Sequence, residues 1–358
     1  MRFEEKGVIS MPSVVDISGM SPGPALYHMA MGYYVPRALA LVAELGVADL
    51  ITDGPRNARD LAAATQTHAP SLARVLRLLA SVGVFAELPD GSFALTPLSE
   101  VLRKNAPDSV RALVLMFCGA GVQDAWRDLE ACVRSGEPAF RRMAPSADSP
   151  YVLMAGIPEL TALFDEAMAT VASWSAAAVA TAVDFSALRR VVDVGGGNGT
   201  LLIGLLKAHP HIRGVVFDQA HAATRAQQRV SAAGLVDRCE VMAGDFFDGV
   251  PNGADAYVLR HVFVDWDDER AATILRNCRA AMPSHGQLMI LEGIYSVRIS
   301  PSASCQNAAG HDVNMLVCTG GRLRSEEEFR ALLAASGFRL SRVVPTKTDV
   351  SVIFGEPA

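Results

Sequence analysis

Residues 190–199 read RVVDVGGGNG, a run of apolar residues that ends in a cluster of glycines. The apolar run predicts a buried strand, and the glycines predict a tight turn into a helix over residues 199–208. Glycines at such a junction let a ligand approach the backbone, and the N-terminus of the following helix faces that ligand. The segment therefore predicts a ligand-binding turn at the carboxyl end of a strand.

The spacing of the glycines argues against a dinucleotide-binding turn, which needs the pattern GxGxxG. Counted from Gly195, the third position is Thr200. Counted from Gly197, it is Leu202. The segment instead matches DxGxGxG, with Asp193 inside the strand. An acidic residue that faces the loop suits a cationic or hydroxylic ligand better than a pyrophosphate.

Two further acids stand at the ends of the next strands along the chain. Asp218 closes the run VVFD, where its carboxylate can accept both hydroxyls of a ribose. Asp245 follows the third strand in Gly244-Asp245-Phe246, where it can bind an adenine amine beside an aromatic wall. Ligands of open α/β sheets bind at the carboxyl ends of the strands. Acids at successive strand ends therefore favour a ligand site over a merely structural turn.

Strand and helix patterns alternate over residues 185–358. Short apolar runs predict strands in RRVVDVGGG, RGVVFD, CEVMAG, ADAYVLR and GQLMILEG. This alternation predicts a doubly wound, Rossmann-like parallel sheet. The last two strands, FRLSRVVPT and DVSVIFG, are separated by only Lys347 and Thr348, so they must pair as an antiparallel hairpin at the edge of the sheet.

The N-terminal part has a different texture. Residues 1–20 predict a loose arm, and residues 58–64 and 71–82 predict two short helices. A hairpin follows around Pro89-Asp90-Gly91, which completes a winged-helix pattern. We therefore predict three parts, which are a mainly α winged-helix domain, connecting helices, and a Rossmann-like domain. Their boundaries are 1–105, 106–184 and 185–358.

Composition limits the class of protein. Of the 358 residues, 50% are apolar and 20% are charged; the charged share lies below the ~25% of average soluble proteins. A large core or subunit interface must absorb the difference. No apolar run is long enough to cross a bilayer, and the polar N-terminus predicts no signal peptide. The scattered cysteines form no CxxC, which favours free thiols in the cytoplasm.

The winged-helix pattern raises the alternative of a DNA-binding regulator. Residues 1–100 hold seven Lys or Arg against ten Asp or Glu, and the net charge of the chain is −6. The second of the short helices offers only Arg74 and Arg77. Nucleic-acid affinity requires several cationic contacts to phosphate. Charge therefore excludes a nucleic-acid partner, and the apolar faces of these helices favour a homodimer interface.

Several motifs taken together resemble one family over nearly the whole chain. They are VDVGGGNGT, FDQAH, GDFF, LRHVFVDWDDERA and HDVNMLVCTGGRLRSEEEF. The sequence resembles class I S-adenosylmethionine-dependent methyltransferases, and more narrowly the small-molecule O-methyltransferases that include plant caffeate methyltransferases and bacterial antibiotic-tailoring enzymes. The resemblance implies a homodimer that intertwines through an N-terminal dimerisation domain. It also implies that the connecting helices contribute to a substrate pocket and that the last part is the catalytic domain, which binds S-adenosylmethionine.

The resemblance also implies where S-adenosylmethionine binds. The glycine loop would line its methionine part, one acid would hold the ribose, and a second acid with its aromatic neighbour would hold the adenine. A basic residue would help to hold the cofactor. The implied cofactor-binding residues are Asp193, Gly195, Gly197, Asp218, Gly244, Asp245, Phe246 and Arg260.

The chain departs from the family at its catalytic positions. The usual HDWxDE motif, whose histidine is the general base, here begins with Val264. Of the two glutamates that normally flank the histidine, one matches Glu292 and the other is replaced by Leu323. Loss of a general base typically lowers the rate by ~10²–10⁴-fold. Methyl transfer then depends on proximity and orientation, or on a base at another position.

His261 and His311 are the candidates for a relocated base, because the resemblance places both at the acceptor pocket and histidine titrates near neutrality. The alternative is that both are packed histidines without a chemical role. A metal held by these two residues and Asp265 has no characteristic spacing, so no metal is predicted. With Glu292, the two histidines form the predicted catalytic set.

The predicted acceptor pocket is aromatic and rich in thioethers, which suits a flat apolar ligand. The function predicted is O-methylation of an aromatic, polyketide- or phenol-like secondary metabolite. The alternative is an enzyme of this fold that binds the cofactor but hydroxylates, decarboxylates, cyclises or C-methylates. The candidate acceptor residues are Trp126, Phe140, Met154, Phe164, Met168, His261, Val264, Asp265, His311 and Met315.

Overall fold

The computed structural model describes residues 19–147, 149–296, 298–348 and 350–358, apart from the side chains of Ala120 and Ala155. The chain divides into two compact units, Met1–Gly121 and Val122–Ala358. The predicted N-terminal arm lies outside the described residues up to residue 18. The three-part division with boundaries after residues 105 and 184 stays a prediction.

The first unit is mainly helical. Short 3₁₀ turns cover Met31–Tyr33 and Val47–Ile51. Its helices and strands are α1 (Pro22–Ala30), α2 (Tyr34–Glu44), β1 (Arg56–Asn57), α3 (Ala58–Thr65), α4 (Ala69–Ser81), β2 (Phe85–Glu87), β3 (Ser92–Leu95), α5 (Pro97–Glu100) and α6 (Arg111–Cys118).

The winged-helix pattern predicted for this unit is present. Helix α3 begins with its cap Asn57, whose side chain accepts a hydrogen bond from the Asp60 amide. The buried stripe of α4, which is Leu72, Leu76 and Leu79, packs into the core of the unit. Strand β3 lies between β1 and β2 and pairs antiparallel with both.

The second unit begins with a series of helices and continues with alternating strands and helices. A 3₁₀ turn covers Phe263–Asp265. The elements are α7 (Ala120–Arg127, which begins in the first unit), α8 (Leu129–Ser135), α9 (Ala139–Met143), α10 (Pro150–Ala155), α11 (Pro158–Ala182), β4 (Arg190–Val194), α12 (Thr200–Ala208), β5 (Arg213–Asp218), α13 (Ala220–Ala232), β6 (Cys239–Ala243), β7 (Ala256–Arg260), α14 (Asp268–Ala281), β8 (Gln287–Glu292), α15 (Ala303–Cys318), α16 (Glu326–Ala335), β9 (Phe338–Pro345) and β10 (Ser351–Pro357).

The strands of the second unit form a seven-stranded sheet in the order β6-β5-β4-β7-β8-β10-β9. Strands β4 to β8 pair in parallel, and β10 pairs antiparallel with both β8 and β9. The predicted hairpin therefore lies at the edge of the sheet, and its antiparallel strand is inserted between β8 and β9. After β4 the chain adds β5 and β6 on one side of the sheet, and it then returns to add β7 on the other side of β4. A topological switch point therefore lies between the neighbouring strands β4 and β7.

Both faces of this sheet are covered, as parallel sheets require. Successive residues of β4 alternate between two apolar clusters, because Val191 belongs to one and Val192 to the other. Helices α11, α12 and α13 contribute to the first cluster, and α14 and α16 to the second. Among the described helices, none combines the length and the apolar character that crossing a membrane needs.

Candidate active site

The loop after β4 rests on a buried carboxylate. Gly195, Gly197 and Gly199 have φ angles of 69°, 58° and 79°, the left-handed region that glycine enters without strain. A β-carbon added to Gly196 would lie 2.9 Å from the Asp193 carboxylate. The glycines are therefore required both by the backbone conformation and by the close approach to Asp193.

Asp193 itself is 1% exposed. Its Oδ2 has no hydrogen-bond partner among the described residues. Burial, together with the nearby Asp218 carboxylate, raises the pKa of Asp193 to about 7, although Arg260 opposes the shift. A buried acceptor without a donor is costly, which makes this oxygen a ready partner for a cationic ligand.

Backbone amides hold Asp218 in place at the same edge of the sheet. Its Oδ2 accepts a hydrogen bond of 2.7 Å from the Gly197 amide, and its Oδ1 accepts one of 2.7 Å from the Gln219 amide. Burial raises the pKa of Asp218, and these two hydrogen bonds oppose the shift. The structure thus brings this predicted ribose ligand directly against the glycine loop.

The third predicted strand end reaches the loop through its aromatic residue. A β-carbon at Gly195 would lie 3.6 Å from the Phe246 ring. Asp245 is exposed, and its Oδ1 accepts a hydrogen bond of 2.8 Å from the Phe247 amide. Gly244 has a packing reason to be glycine, because a β-carbon there would lie 2.4 Å from the Phe217 ring.

Helix α11 supplies polar contacts to this region that the sequence analysis did not identify. The Asn198 side chain donates to the Asp165 carbonyl at 3.2 Å, and Arg225 forms an ion pair with the Asp165 carboxylate. Arg260, a predicted cofactor residue at the end of β7, donates from Nε to the buried Ser175 hydroxyl at 3.0 Å. The spacing of these residues in the sequence carries no signal for such contacts.

The turn after β7 is held by two buried polar side chains that bind its backbone. Glu292 Oε1 accepts from the Phe263 amide at 2.9 Å and from the Val264 amide at 3.4 Å. The Arg324 guanidinium donates to the Phe263 carbonyl at 2.7 Å and to the Trp266 carbonyl at 2.8 Å. Arg324 also pairs with Asp268. Amides and carbonyls of the turn are therefore bound from both sides.

Gly321 presses against the same turn. A β-carbon at this position would lie 1.8 Å from the Val264 carbonyl oxygen and 2.7 Å from the Asp265 α-carbon. No side chain fits in that space, so this glycine of the Gly320-Gly321 pair lets α15 and its following loop approach the turn.

Two residues at positions where a departure from the family pattern is predicted lie in one apolar cluster. Val264 and Leu323 are 4% and 5% exposed and pack with Met315, with Tyr295 and Ala308 at the margin. The structure thus brings both residues into the same apolar surroundings, and the replacement of a base and its carboxylate partner stays a prediction.

Glu292 is fully buried and is directed at the backbone. Its Oε2 has no hydrogen-bond partner among the described residues. Burial, with the nearby Asp265 carboxylate, raises the pKa of Glu292 to about 8. The hydrogen bonds that Glu292 accepts from the Phe263 and Val264 amides position the turn, and its predicted catalytic role stays a prediction.

His261 and His311 are brought together, with ring centroids 5.8 Å apart. His261 has φ 50°, an uncommon conformation for a residue other than glycine, and its Nε2 is buried without a described partner. Burial, with Arg260 and His311 nearby, holds the pKa of His261 well below its usual value. Within the described part of the chain, no group of three His, Cys, Asp or Glu could hold a metal ion.

Asp265 has a partner that the sequence analysis missed. The Tyr151 hydroxyl on α10 donates to Asp265 Oδ2 at 2.7 Å, and the Tyr151 ring meets Phe164 edge-on at 5.7 Å. Burial raises the pKa of Asp265 to about 7, and the hydrogen bond from Tyr151 opposes that shift. The two residues are separated by 114 positions, so no local pattern could have joined them.

The remaining predicted acceptor residues are more dispersed. Trp126 donates from its indole nitrogen to Asn314 at 2.9 Å and packs in a separate apolar cluster around Cys132 and Val317. Phe140 is buried on α9, with Arg141 over its ring. Met154 and Met168 are partly buried on α10 and α11. The structure therefore groups Phe164, His261, Val264, Asp265, His311 and Met315 around the β7 turn more closely than it does the others.

Comparison with known proteins follows the same division of the chain. The O-methyltransferase domain matches residues 126–339, and the O-methyltransferase dimerisation domain matches residues 27–105. A phenazine O-methyltransferase from Lysobacter antibioticus is 42% identical over 332 residues, which are 93% of this chain and 95% of that protein.

Two solved structures extend the comparison. The crystal structure of LaPhzM superimposes with a TM-score of 0.88 at 42% identity, over 94% of this chain and 99% of that one. NcsB1, an O-methyltransferase from neocarzinostatin biosynthesis, was solved with S-adenosylmethionine and 2-hydroxy-5-methyl naphthoic acid. Its TM-score is 0.77 at 34% identity, over 91% of this chain and 96% of that one.

The chain therefore belongs to the family of S-adenosylmethionine-dependent O-methyltransferases. The predicted fold class, cofactor and enzyme class are confirmed, and methyl transfer is favoured over the alternative reactions. The dimerisation domain supports the predicted homodimer.

Proposed function

We propose that the chain methylates a hydroxyl of an aromatic secondary metabolite, with S-adenosylmethionine held at the loop after β4. The observation that carries this proposal is the glycine loop that rests on Asp193 and is bound by Asp218. The unpaired buried oxygen of Asp193 fits a ligand that carries positive charge, as this cofactor does.

In this proposal each predicted cofactor residue has a place. Gly195 and Gly197 line the methionine part, with Asp193 below and Arg260 anchored on Ser175 beside it. Asp218 binds the ribose hydroxyls. Gly244, Asp245 and Phe246 receive the adenine, with the Phe246 ring against the loop. When bound, the cofactor supplies an electrophilic methyl group whose bond to sulfur breaks with both electrons leaving on sulfur.

We assign the acceptor to the apolar side of the β7 turn. Val264 and Met315 offer an apolar wall, and His261 offers an unpaired ring nitrogen that, in the tautomer with its proton there, donates a hydrogen bond to the acceptor oxygen. The phenazine and naphthoic acid ligands of the relatives are flat and aromatic, which supports an aromatic acceptor here. Phe164, Asp265 and His311 complete the site, and Trp126, Phe140, Met154 and Met168 are proposed outer lining.

In this proposal, the positioning of the cofactor and the acceptor lowers the barrier to methyl transfer. Holding the two reactants in line supplies up to ~7–11 kcal/mol of the barrier. A neutral His261 with a depressed pKa is a weak base, so we assign it a hydrogen bond to the acceptor rather than removal of the proton. An acceptor hydroxyl of low pKa suits such a site.

The homodimer and the cytoplasmic location complete the proposal. Large apolar side chains stand exposed on α1 and the turn after it, among them Leu26, Tyr27, Met29 and Tyr33, and a partner subunit would cover them. All six cysteines are free thiols, which supports a reducing compartment.

Calorimetry and mass spectrometry test the proposal in sequence. Titration with S-adenosylhomocysteine should show binding, and incubation with S-adenosylmethionine and 1-hydroxyphenazine or 1,4-dihydroxy-2-naphthoic acid should add one methylene unit of mass. Fragmentation then locates the methyl on oxygen. Absence of cofactor binding, or a product without this mass gain, would overturn the proposal.

A further inference from the structure

The pair formed by Tyr151 and Asp265 is unlike the other charged contacts around the β7 turn. Glu292 directs Oε1 at the backbone, and Arg324 directs Nη1 and Nη2 at it. Asp265 instead receives a hydrogen bond from another side chain, the Tyr151 hydroxyl, on Oδ2. Among the described residues, none donates a hydrogen bond to Asp265 Oδ1, so this oxygen can accept a proton or a hydrogen bond from a ligand.

Within the part of the chain that the structure describes, the titratable groups that interact with Asp265 carry no positive charge. These groups are Tyr151 on α10, Glu292 at the end of β8 and Cys318 at the end of α15, each of which interacts electrostatically with the Asp265 carboxylate. Each of them is neutral or negative. A partly buried carboxylate in such surroundings gains stability by taking up a proton.

The position of the pair links the two sides of the site. Asp265 directly follows Val264, and Gly321 packs against the backbone of both. The Asp218 charge contributes to the raised pKa of Tyr151, so the hydroxyl of Tyr151 lies within electrostatic reach of the carboxylate beside the glycine loop. The Tyr151 ring also contacts Phe164. The next residue, Asp165, accepts a hydrogen bond on its carbonyl from Asn198 of that loop.

We propose that Asp265 is the group that accepts the proton of the acceptor hydroxyl, with Tyr151 as its positioning residue. The inference rests on the proposed methyl transfer. The oxygen–hydrogen bond of the acceptor breaks, the proton moves to Asp265 Oδ1, and the electron pair stays on the acceptor oxygen to form the new bond to the methyl carbon. The carboxyl group then releases its proton to solvent after product leaves.

The chemistry of the pair suits this role. General-base catalysis is most effective when the pKa of the base lies near the working pH. Burial raises the pKa of the Asp265 carboxyl to about 7, which is near the working pH, whereas it holds the pKa of His261 well below its usual value. The proton acceptor thus stands one residue after the position of Val264.

The test compares Asp265→Asn with the wild-type enzyme. Asparagine keeps an oxygen for the Tyr151 hydroxyl, so the turn is preserved while the proton acceptor is lost. We expect the turnover of 1-hydroxyphenazine to fall ~10²–10⁴-fold, with binding of S-adenosylhomocysteine unchanged in calorimetry. Glu269→Gln, an exposed acid on α14, is the matched control and should retain wild-type turnover.

The pH profile distinguishes a base from an acceptor that arrives ionised. In the wild type, kcat/KM should fall below about pH 7 with the same midpoint for acceptors of different acidity. In Asp265→Asn the midpoint should follow the pKa of each acceptor. Tyr151→Phe removes the hydrogen bond that lowers the pKa of Asp265, so its midpoint should move to higher pH with little change in KM.

A measurement without turnover completes the design. The absorbance of 1-hydroxyphenazine bound with S-adenosylhomocysteine reports whether its hydroxyl is ionised, and ionisation at pH 8 should be greater in the wild type than in Asp265→Asn. Equal turnover, equal pH midpoints and equal ionisation in the two proteins would overturn the assignment to Asp265. If the wild type binds cofactor but methylates neither test acceptor, the proposed function fails instead.

Discussion

The turns after β4 and β7 follow neighbouring strands of one sheet, yet they handle buried polar groups in opposite ways. After β4, glycines bring the backbone onto Asp193, and a carboxylate oxygen is left without a donor. After β7, Glu292 and Arg324 bind the backbone, and the side chain of Val264 enters an apolar cluster. The first turn keeps a polar group available for a ligand, while buried polar side chains hold the shape of the second.

In the proposed function, this difference separates the cofactor side of the site from the acceptor side. The β4 side carries the predicted cofactor residues Asp193, Gly195, Gly197 and Asp218. The β7 side has an apolar cluster that contains Val264 and Leu323. Among the described residues, Glu292 Oε2 and His261 Nε2 on this side have no hydrogen-bond partner, and Asp265 is bound by Tyr151. Changes that disturb one turn should therefore leave the other intact.

Removal of Arg324 should have the largest effect on stability. Arg324→Ala leaves the carbonyls of Phe263 and Trp266 without donors inside the protein, at ~1–3 kcal/mol for each. We expect the free energy of unfolding to fall by ~3 kcal/mol. Urea unfolding followed by tryptophan fluorescence measures this, because all three tryptophans lie after residue 121.

Arg322→Ala is the matched control for that change. Arg322 is the exposed neighbour that pairs with Glu328, and surface pairs contribute little. Similar losses in the two variants would show that the backbone contacts of Arg324 do not hold the turn.

Removal of Asp218 should weaken the other turn. Asp218→Ala deletes the acceptor of the Gly197 amide and the proposed partner of two ribose hydroxyls. Loss of charged hydrogen bonds of this kind predicts a rise of ~100-fold in the Kd for S-adenosylhomocysteine. Isothermal calorimetry measures it, and Asp237→Ala, at an exposed site after α13, serves as control. A change below about threefold in the Kd would refute the ribose assignment.

The apolar contact of Val264 with Leu323 can be tested as a pair. Val264→His and Leu323→Glu each place a polar group in the cluster, and each should destabilise the protein by ~1–3 kcal/mol. Together they can pair, so the double variant should lose less than the sum by ~1 kcal/mol or more. Chemical unfolding of the four proteins gives the coupling.

Activity adds a second readout to this cycle. Faster methylation of weakly acidic phenols should occur only in the double variant, because a histidine without its carboxylate partner has a depressed pKa when buried. Additive losses of stability, and no gain in rate, would show that the side chains introduced at positions 264 and 323 do not interact. Val264→His combined with Glu269→Gln is expected to be additive and serves as the reference.

The smallest effect concerns the pH dependence of stability. Because the pKa of Glu292 is raised from 4.5 to about 8 in the folded protein, the folded state holds a proton that the unfolded state has lost between these values. The free energy of unfolding should therefore fall as pH rises through this window. Asp193 and Asp265, with pKa values raised to about 7, contribute in the same direction.

Glu292→Gln should reduce that decline without abolishing it. The glutamine oxygen can still accept from the Phe263 amide, so the turn is kept while one titration is removed. Urea unfolding at several pH values between about 5 and 8.5 measures the slope, with exposed Glu240→Gln as the control. Identical slopes in wild type and Glu292→Gln would show that the buried carboxyl does not titrate as described.

Much of the fold and of the cofactor side could be predicted from the sequence because the signals are local. The alternation of apolar strands and helices specified the sheet, and RVVDVGGGNG specified the loop that Asp193 supports. Asp218 was predictable for the same reason, since parallel strands end at one edge of a sheet. A motif also predicts that Val264 stands at the position of the usual base, and this stays a prediction.

The surroundings of Val264 needed the tertiary structure. Tyr151 meets Asp265 across 114 residues, Arg324 reaches Phe263 across 61, and Gly321 matters only because another backbone lies against it. Such contacts depend on how α10, α15 and the β7 turn pack, and no periodicity of the chain encodes them. The sequence by itself determined the sheet and the turn after β4. Only packing decided which buried carboxyl stays free to receive a proton, because desolvation and hydrogen-bond partners are properties of the folded neighbourhood.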